Sequence, residues 1–115
     1  MFLRVAMVAQ TLALLVQAVT AGLLLSSPGG RTLHSATAVV VAVAVLVHLV
    51  AAIVTRSRAA VLPAVAMLVM TLVQMALGMA HVKVLHVPVG VLMFGVSVLR
   101  LGQVWPARRV HTAAA

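Results

Sequence analysis

The 115-residue chain contains no aspartate, glutamate, cysteine, asparagine or tyrosine. Without carboxylates it cannot build paired acid–base chemistry, hard-cation sites of anionic oxygens, or carboxylate proton relays. Without cysteine it has no disulfides, thiol nucleophiles or thiolate-bound clusters, and its redox compartment cannot be read. Charge is scarce and of one sign: eight lysines and arginines give a net charge of +8. That is too little charge to coat a soluble domain. The bases are dispersed and aromatic residues are 3% of the chain, a pattern that points away from nucleic acid and toward bases flanking membrane spans. The Ala/Val/Leu/Arg bias suggests a GC-rich bacterial genome.

What is present is apolar. Hydrophobic residues make up 65% of the chain, and the mean hydropathy is +1.31. A hydrocarbon core of ~30 Å needs roughly 20 apolar residues per helix, so four crossings nearly exhaust the length and residues 1–115 form one domain. The expected fold is all-α, a transmembrane four-helix bundle with spans at about 2–25, 34–54, 61–80 and 87–104. "SSPGGR" closes the first span. Pro63 is expected in the first turn of the third, Trp105 as an interface anchor and Pro106 as a stop. Arg4 before an apolar run and "VTA" at 19–21 resemble a signal peptide, but the run is longer than such a segment usually carries, and a mature helix is expected.

Bases set the expected orientation. With both termini in the cytoplasm, the inner side holds Arg4, Arg56, Arg58, Arg108 and Arg109, and Arg100 snorkels toward it. Arg31 and Lys83 then lie at the outer face of a bacterial inner membrane.

The two halves of the chain repeat. "LVQ" recurs at 15–17 and 72–74, and "RTLH" at 31–34 recurs as "KVLH" at 83–86. Fourteen residues beyond each histidine, "VLVHL" aligns with "SVLRL", which pairs His48 with Arg100. A duplicated helical hairpin is expected, with spans two and four equivalent.

His34 and His86, at matching depth on those spans, are the candidate metal ligands: two neutral imidazoles can supply both axial positions of one haem b. Arg31 and Lys83, about one turn away, would pair with its propionates. A cation at a helix N-terminus opposes the macrodipole, and a bound anion would offset that. Small residues nearby (Ser35, Ala36, Thr37, Ala38, Pro88, Gly90) would leave room for a flat macrocycle. The competing reading is interfacial histidines and bases reaching into headgroups.

His48 is the candidate for a second site, ~21 Å deeper on nearly the same face. Arginine cannot be an ordinary axial ligand, so Arg100 at the duplicate position argues against a second haem. Met67 or Met70 could complete one but read better as packing, and His48 as bonded to a carbonyl or glutamine. His81 is an alternative ligand, a support for one, or a loop residue, the last being commonest. Gln17 and Gln74 read as interhelical hydrogen bonding before contact with a cofactor or quinone. His111 receives no role. Ala21, Gly22, Gly78, Gly90 and Gly95 would permit close helix approach.

On these residues the chain resembles one half of haem A synthase. With "QAVTAG" at 17–22, His34 and "LHVPVG" at 85–90, it also resembles a family of small bacterial four-span membrane proteins. The resemblance implies haem ligation by His34 and His86. Haem A synthase has acidic residues tied to its chemistry and twice as many helices, so its activity is not implied here.

The expected function is therefore a b-type cytochrome-like membrane protein with one haem. It would serve in electron transfer or as a haem-bearing subunit, rather than as a free-standing enzyme. Expected partners are lipid, a quinone or a larger respiratory complex, and another copy of the chain. A cofactor-free accessory subunit is the alternative. A small multidrug-type exporter ranks last, because proton coupling there uses an intramembrane carboxylate.

Overall fold

The computed structural model describes residues 1–105. Four helices carry the described chain: α1 (Phe2–Ser26), α2 (Gly30–Val54), α3 (Arg58–Met79) and α4 (Lys83–Val104). Each has the length and apolar composition to cross a membrane, so the chain is an integral, multi-pass membrane protein. The expected order and number of spans hold. The second, third and fourth helices begin three or four residues before the apolar runs that announce them. The two basic-x-Leu-His segments are thus first-turn residues rather than approaches to a helix. Pro63 is correspondingly in the second turn of α3. Pro106, Arg108, Arg109 and His111 lie outside the described residues.

Three-residue connections at 27–29, 55–57 and 80–82 force an up-down-up-down path. Helices consecutive in sequence pack on each other, and α1 closes the ring against α4. Diagonal partners do not approach at the backbone level among the described residues, so side chains fill the centre. One end of the bundle carries the loops 27–29 and 80–82 (the two-loop end). The other carries the N-terminus, the loop 55–57 and the end of α4 (the terminal end).

The bundle is apolar outside and mixed inside. Leu12, Val16, Val43, Val50, Leu72, Leu92 and Leu99 are among the exposed large side chains, as lipid contact demands. Inside, Ala13, Leu14, Val41, Val45, Met67 and Met93 form the apolar middle. Buried polar residues Gln10, Thr11, Thr20, His48, Thr71 and Ser97 face inward with them. In hydrocarbon an unpaired polar group is costly, so such side chains turn to one another or to a backbone carbonyl. Thr11 and Thr71 each bond back to the carbonyl four residues earlier, Met7 and Met67.

Pro63 lacks the N–H that would bond the Ala59 carbonyl. The Arg100 guanidinium supplies the replacement, with Nη2 donating to Ala59 O at 3.0 Å. At the two-loop end, α3 terminates in a Schellman arrangement. Val82 N–H donates to Leu77 O at 3.0 Å and His81 N–H to Gly78 O at 3.2 Å, with His81 in the left-handed region at φ 57°.

Gly30 is buried where the start of α2 crosses the end of α1. A Cβ there would strike the Leu23 carbonyl oxygen and stand 2.6 Å from Leu23 C and 2.7 Å from Leu24 N, all backbone atoms. Gly30→Ala should therefore lower stability by roughly 1–3 kcal/mol through overpacking. Gly29→Ala, with open space around its Cβ, should be near neutral. Thermal unfolding of both variants in detergent checks the contrast.

Candidate functional site

The structure brings His34 and His86 together across the α2–α4 diagonal. Their ring centroids are 6.1 Å apart and their planes inclined at 73°. Both are half-buried, near the two-loop end. The duplicated glutamines turn out to be their partners, one within each hairpin.

In the first hairpin, Gln17 Nε2 lies 3.2 Å from His34 Nε2, and Thr20 Oγ1 lies 3.3 Å from His34 Nδ1. Thr37 Oγ1 donates to Gln17 Oε1, and Thr20 Oγ1 donates to Gln17 O at 3.0 Å. An amide nitrogen can only donate, so His34 Nε2 is the acceptor and Nδ1 carries the proton. In the second hairpin, His86 Nδ1 lies 3.0 Å from the Gln74 carbonyl, which can only accept. His86 is therefore also the Nδ1–H tautomer, and its Nε2 is a lone pair. Gln74 Nε2 returns a bond to His86 O at 2.6 Å.

Two glycines make the second half possible. A Cβ on Gly78 would stand 3.1 Å from His86 Cε1, and one on Gly90 would stand 2.8 Å from Gln74 Nε2. Gln74 Oε1 is buried with no hydrogen-bond partner among the described residues. Buried polar atoms are rarely left so, which marks this corner for a ligand or an ordered water.

Arg31 and Lys83 are exposed at the same end, on the first turns of α2 and α4. The small residues expected around a macrocycle are divided. Ser35, Ala36 and Pro88 are exposed, Thr37 and Ala38 are half-buried, and Gly90 is occupied by the Gln74 amide. Gly22 and Gly95 face open space. His81 is an exposed loop residue, distant in role from the paired rings. Among the described residues, no group of three or more histidines, cysteines or carboxylates gathers as a metal site.

His48 belongs to a separate cluster at the terminal end. It is buried, with Nδ1 2.7 Å from Gln10 Oε1. Gln10 Nε2 donates to Ser97 Oγ at 3.1 Å, and Ser97 Oγ meets Thr11 Oγ1 at 2.8 Å. Sequence reading missed Gln10, Thr11 and Ser97. The spacing of Gln10 seven residues before Gln17, two turns on one face, was the signal for Gln10; Ser97 had none.

No protein-family model, curated protein or solved structure matches the chain. The site is therefore read from its own geometry.

That geometry fixes tautomers. In the ligand-free protein, ¹⁵N spectra of labelled histidine should show His34, His48 and His86 as Nδ1–H forms. Gly90→Ala, which displaces the Gln74 amide, should move the His86 resonances and leave those of His48 in place. An Nε2–H pattern for His86 would refute the assignment.

Proposed function

We propose that the protein binds one b-type haem between α2 and α4, with His34 and His86 as axial ligands. It would act as an electron carrier or as the haem-bearing subunit of a larger membrane complex. The observation that carries this reading is the paired histidines on diagonal helices, 6.1 Å between ring centroids. One imidazole from each of two facing helices would hold the iron between them.

The donor set fits the group. A ligating histidine commonly donates its other N–H to a carbonyl or similar acceptor, which fixes the tautomer and raises basicity. Gln74 O does this for His86 and Thr20 Oγ1 for His34. Ligation at His34 would exchange its contact with the Gln17 amide for the metal. Gly78 allows the His86 ring its position, and Arg31 and Lys83 supply cations for two propionates at the two-loop end. Haem bound through two imidazoles supplies reversible one-electron exchange at an iron with both axial positions filled. The protein's part is to hold two neutral imidazoles, orient their lone pairs, and surround them with hydrocarbon. The resemblance to haem A synthase rests on the same two histidines.

Orientation belongs to the same proposal. Arg4, Arg56 and Arg58 gather at the terminal end, against Arg31 and Lys83 at the two-loop end. The positive-inside rule puts the terminal end in the cytoplasm of a bacterial inner membrane. Because the chain lacks cysteine, Ser27→Cys and Ser57→Cys each introduce one unique thiol. An impermeant maleimide should label Ser27→Cys in intact cells and Ser57→Cys only after permeabilisation; the reverse pattern inverts the topology.

Haem binding is read by absorbance of the detergent-purified protein from a haem-replete host. Wild type should show a reduced low-spin b-type spectrum. His34→Ala and His86→Ala should each lose the low-spin character, while His81→Gly, at an exposed left-handed position, should retain it. Absence of a Soret band in wild type would favour the cofactor-free accessory subunit. An unchanged spectrum in either axial variant would exclude that residue as a ligand.

A further inference from the structure

The terminal end of the bundle holds a cavity of about 260 Å³ that the haem reading leaves unused. Its walls include Leu3, Met7, Pro63, Met67 and Val96, and its polar lining is Gln10, His48, Ser57, Ser97, Arg100 and Gln103. Gln10 and Ser97 are each 2% exposed and His48 is 6% exposed.

The protons of this cluster can be placed one by one. Thr11 has a single hydroxyl proton, which goes to the Met7 carbonyl at 2.8 Å. In the Thr11–Ser97 pair the donor is then Ser97. The Ser97 oxygen can accept only from the Gln10 amide nitrogen, as its geometry allows. The Gln10 carbonyl oxygen therefore faces His48, and His48 Nδ1 must carry the proton that bonds it. The chain of donors runs His48, Gln10, Ser97 and Thr11, and ends on the Met7 carbonyl as acceptor. Its consequence is at the free end: His48 Nε2 is a bare acceptor. It has no partner among the described residues and is not sealed in protein, and its residue lines the cavity.

Arg100 lines the same cavity as a donor. Nη1 bonds Gln103 Oε1 and Nη2 bonds Ala59 O, each at 3.0 Å. Two of the five guanidinium N–H groups are thus engaged among the described residues. The chain has no carboxylate side chain to meet the others. Arg100 and His48 thus bring a donor and an acceptor to one cavity.

We propose that this cavity binds the ring head of a lipid-soluble hydroquinone. One ring hydroxyl donates to His48 Nε2, and the oxygen across the ring accepts from Arg100. The volume is sufficient, since a cavity of roughly 150 Å³ already admits benzene. The apolar walls suit a ring face, and an apolar tail can leave through the hydrocarbon around the bundle. A phosphate headgroup would answer Arg100 but present acceptors to the acceptor on His48. Of the other sequence candidates for such a contact, the Gln17 amide is bonded to His34 and Thr37, and Gln74 leaves only an acceptor oxygen, at the opposite end of the bundle.

Binding here does not depend on haem, because His48 is fourteen residues along α2 from His34. The test uses the full chain in detergent, without haem and as isolated, in anaerobic equilibrium dialysis with tetramethylhydroquinone and its dimethyl ether. Wild type should bind the hydroquinone saturably at one site. The ether, which has no proton to donate and leaves His48 Nε2 unpaired, should bind roughly tenfold or more weakly. His48→Leu should abolish that preference, and Arg100→Met should weaken the hydroquinone. Equal binding of the two compounds to wild type overturns the proposal without need of any variant. So does a preference that survives in folded His48→Leu protein. Displacement by short-chain phosphatidylglycerol but not phosphatidylcholine overturns it in favour of an anionic headgroup. The Soret spectrum is read separately, so loss of the haem assignment leaves this result standing.

Discussion

Hydrocarbon does not hydrogen-bond, and this chain carries no anion with which to neutralise a cation inside it. The arrangement of the bundle follows from those two facts. Polar side chains that would sit on the surface of a soluble helix are turned inward, where a partner can be placed within reach. Each such contact is modest, about 0.6–2 kcal/mol in membranes. The alternative, an orphaned group in lipid, costs several kcal/mol. The rule extends to the backbone. Pro63 frees the Ala59 carbonyl, and Arg100 answers it. One contact thereby satisfies a helix defect and fixes the end of a long cationic side chain.

The same constraint makes the histidines specific. A histidine in hydrocarbon is held neutral and must be told which nitrogen keeps its proton. Gln74 O, Gln10 Oε1 and the pair Gln17–Thr20 give the same instruction at three separate places. In each case Nδ1 donates to the protein and Nε2 is left as a lone pair. Among the described residues only His34 already has a donor facing Nε2, the Gln17 amide, and an amide on a flexible side chain can be displaced. The Gln74 amide sits where Gly90 leaves room, 2.8 Å from where a Cβ would stand.

The fold was legible because it is written in composition. Four apolar runs separated by short polar clusters leave one economical solution in a bilayer. The helix starts were less so. Hydropathy marks where an apolar run begins, whereas a helix begins where the chain finishes turning, so Gly30, Arg58 and Lys83 open helices ahead of their apolar stretches. The paired histidines were legible through the repeat of "RTLH" as "KVLH", and the repeated glutamines proved to be their hydrogen-bond partners. The cluster around His48 was not. A single serine or threonine in an apolar run is common enough in membrane helices to carry no signal. Ser97 matters only because α4 packs beside α1 and brings it to Gln10, a pairing across 87 residues that no local pattern encodes.

The repeat also explains why the two ends differ. A shift of 57 residues aligns Gln17 with Gln74, and a shift of 52 aligns His34 with His86. By the same shifts Gln10 corresponds to Met67, Val45 to Ser97 and His48 to Arg100. Had the terminal end kept its symmetry through Arg100, two guanidinium groups would face each other in low dielectric with no carboxylate available. Had it kept symmetry through His48, two histidines would stand side by side, as His34 and His86 do at the two-loop end. There, under the proposed haem binding, one metal between like donors would resolve the juxtaposition. At the terminal end the substitutions resolve it internally, by setting an acceptor on α2 against a donor on α4. Like donors at one end suit a ligand with two equivalent faces. Unlike groups at the other suit a ligand with a donating and an accepting edge.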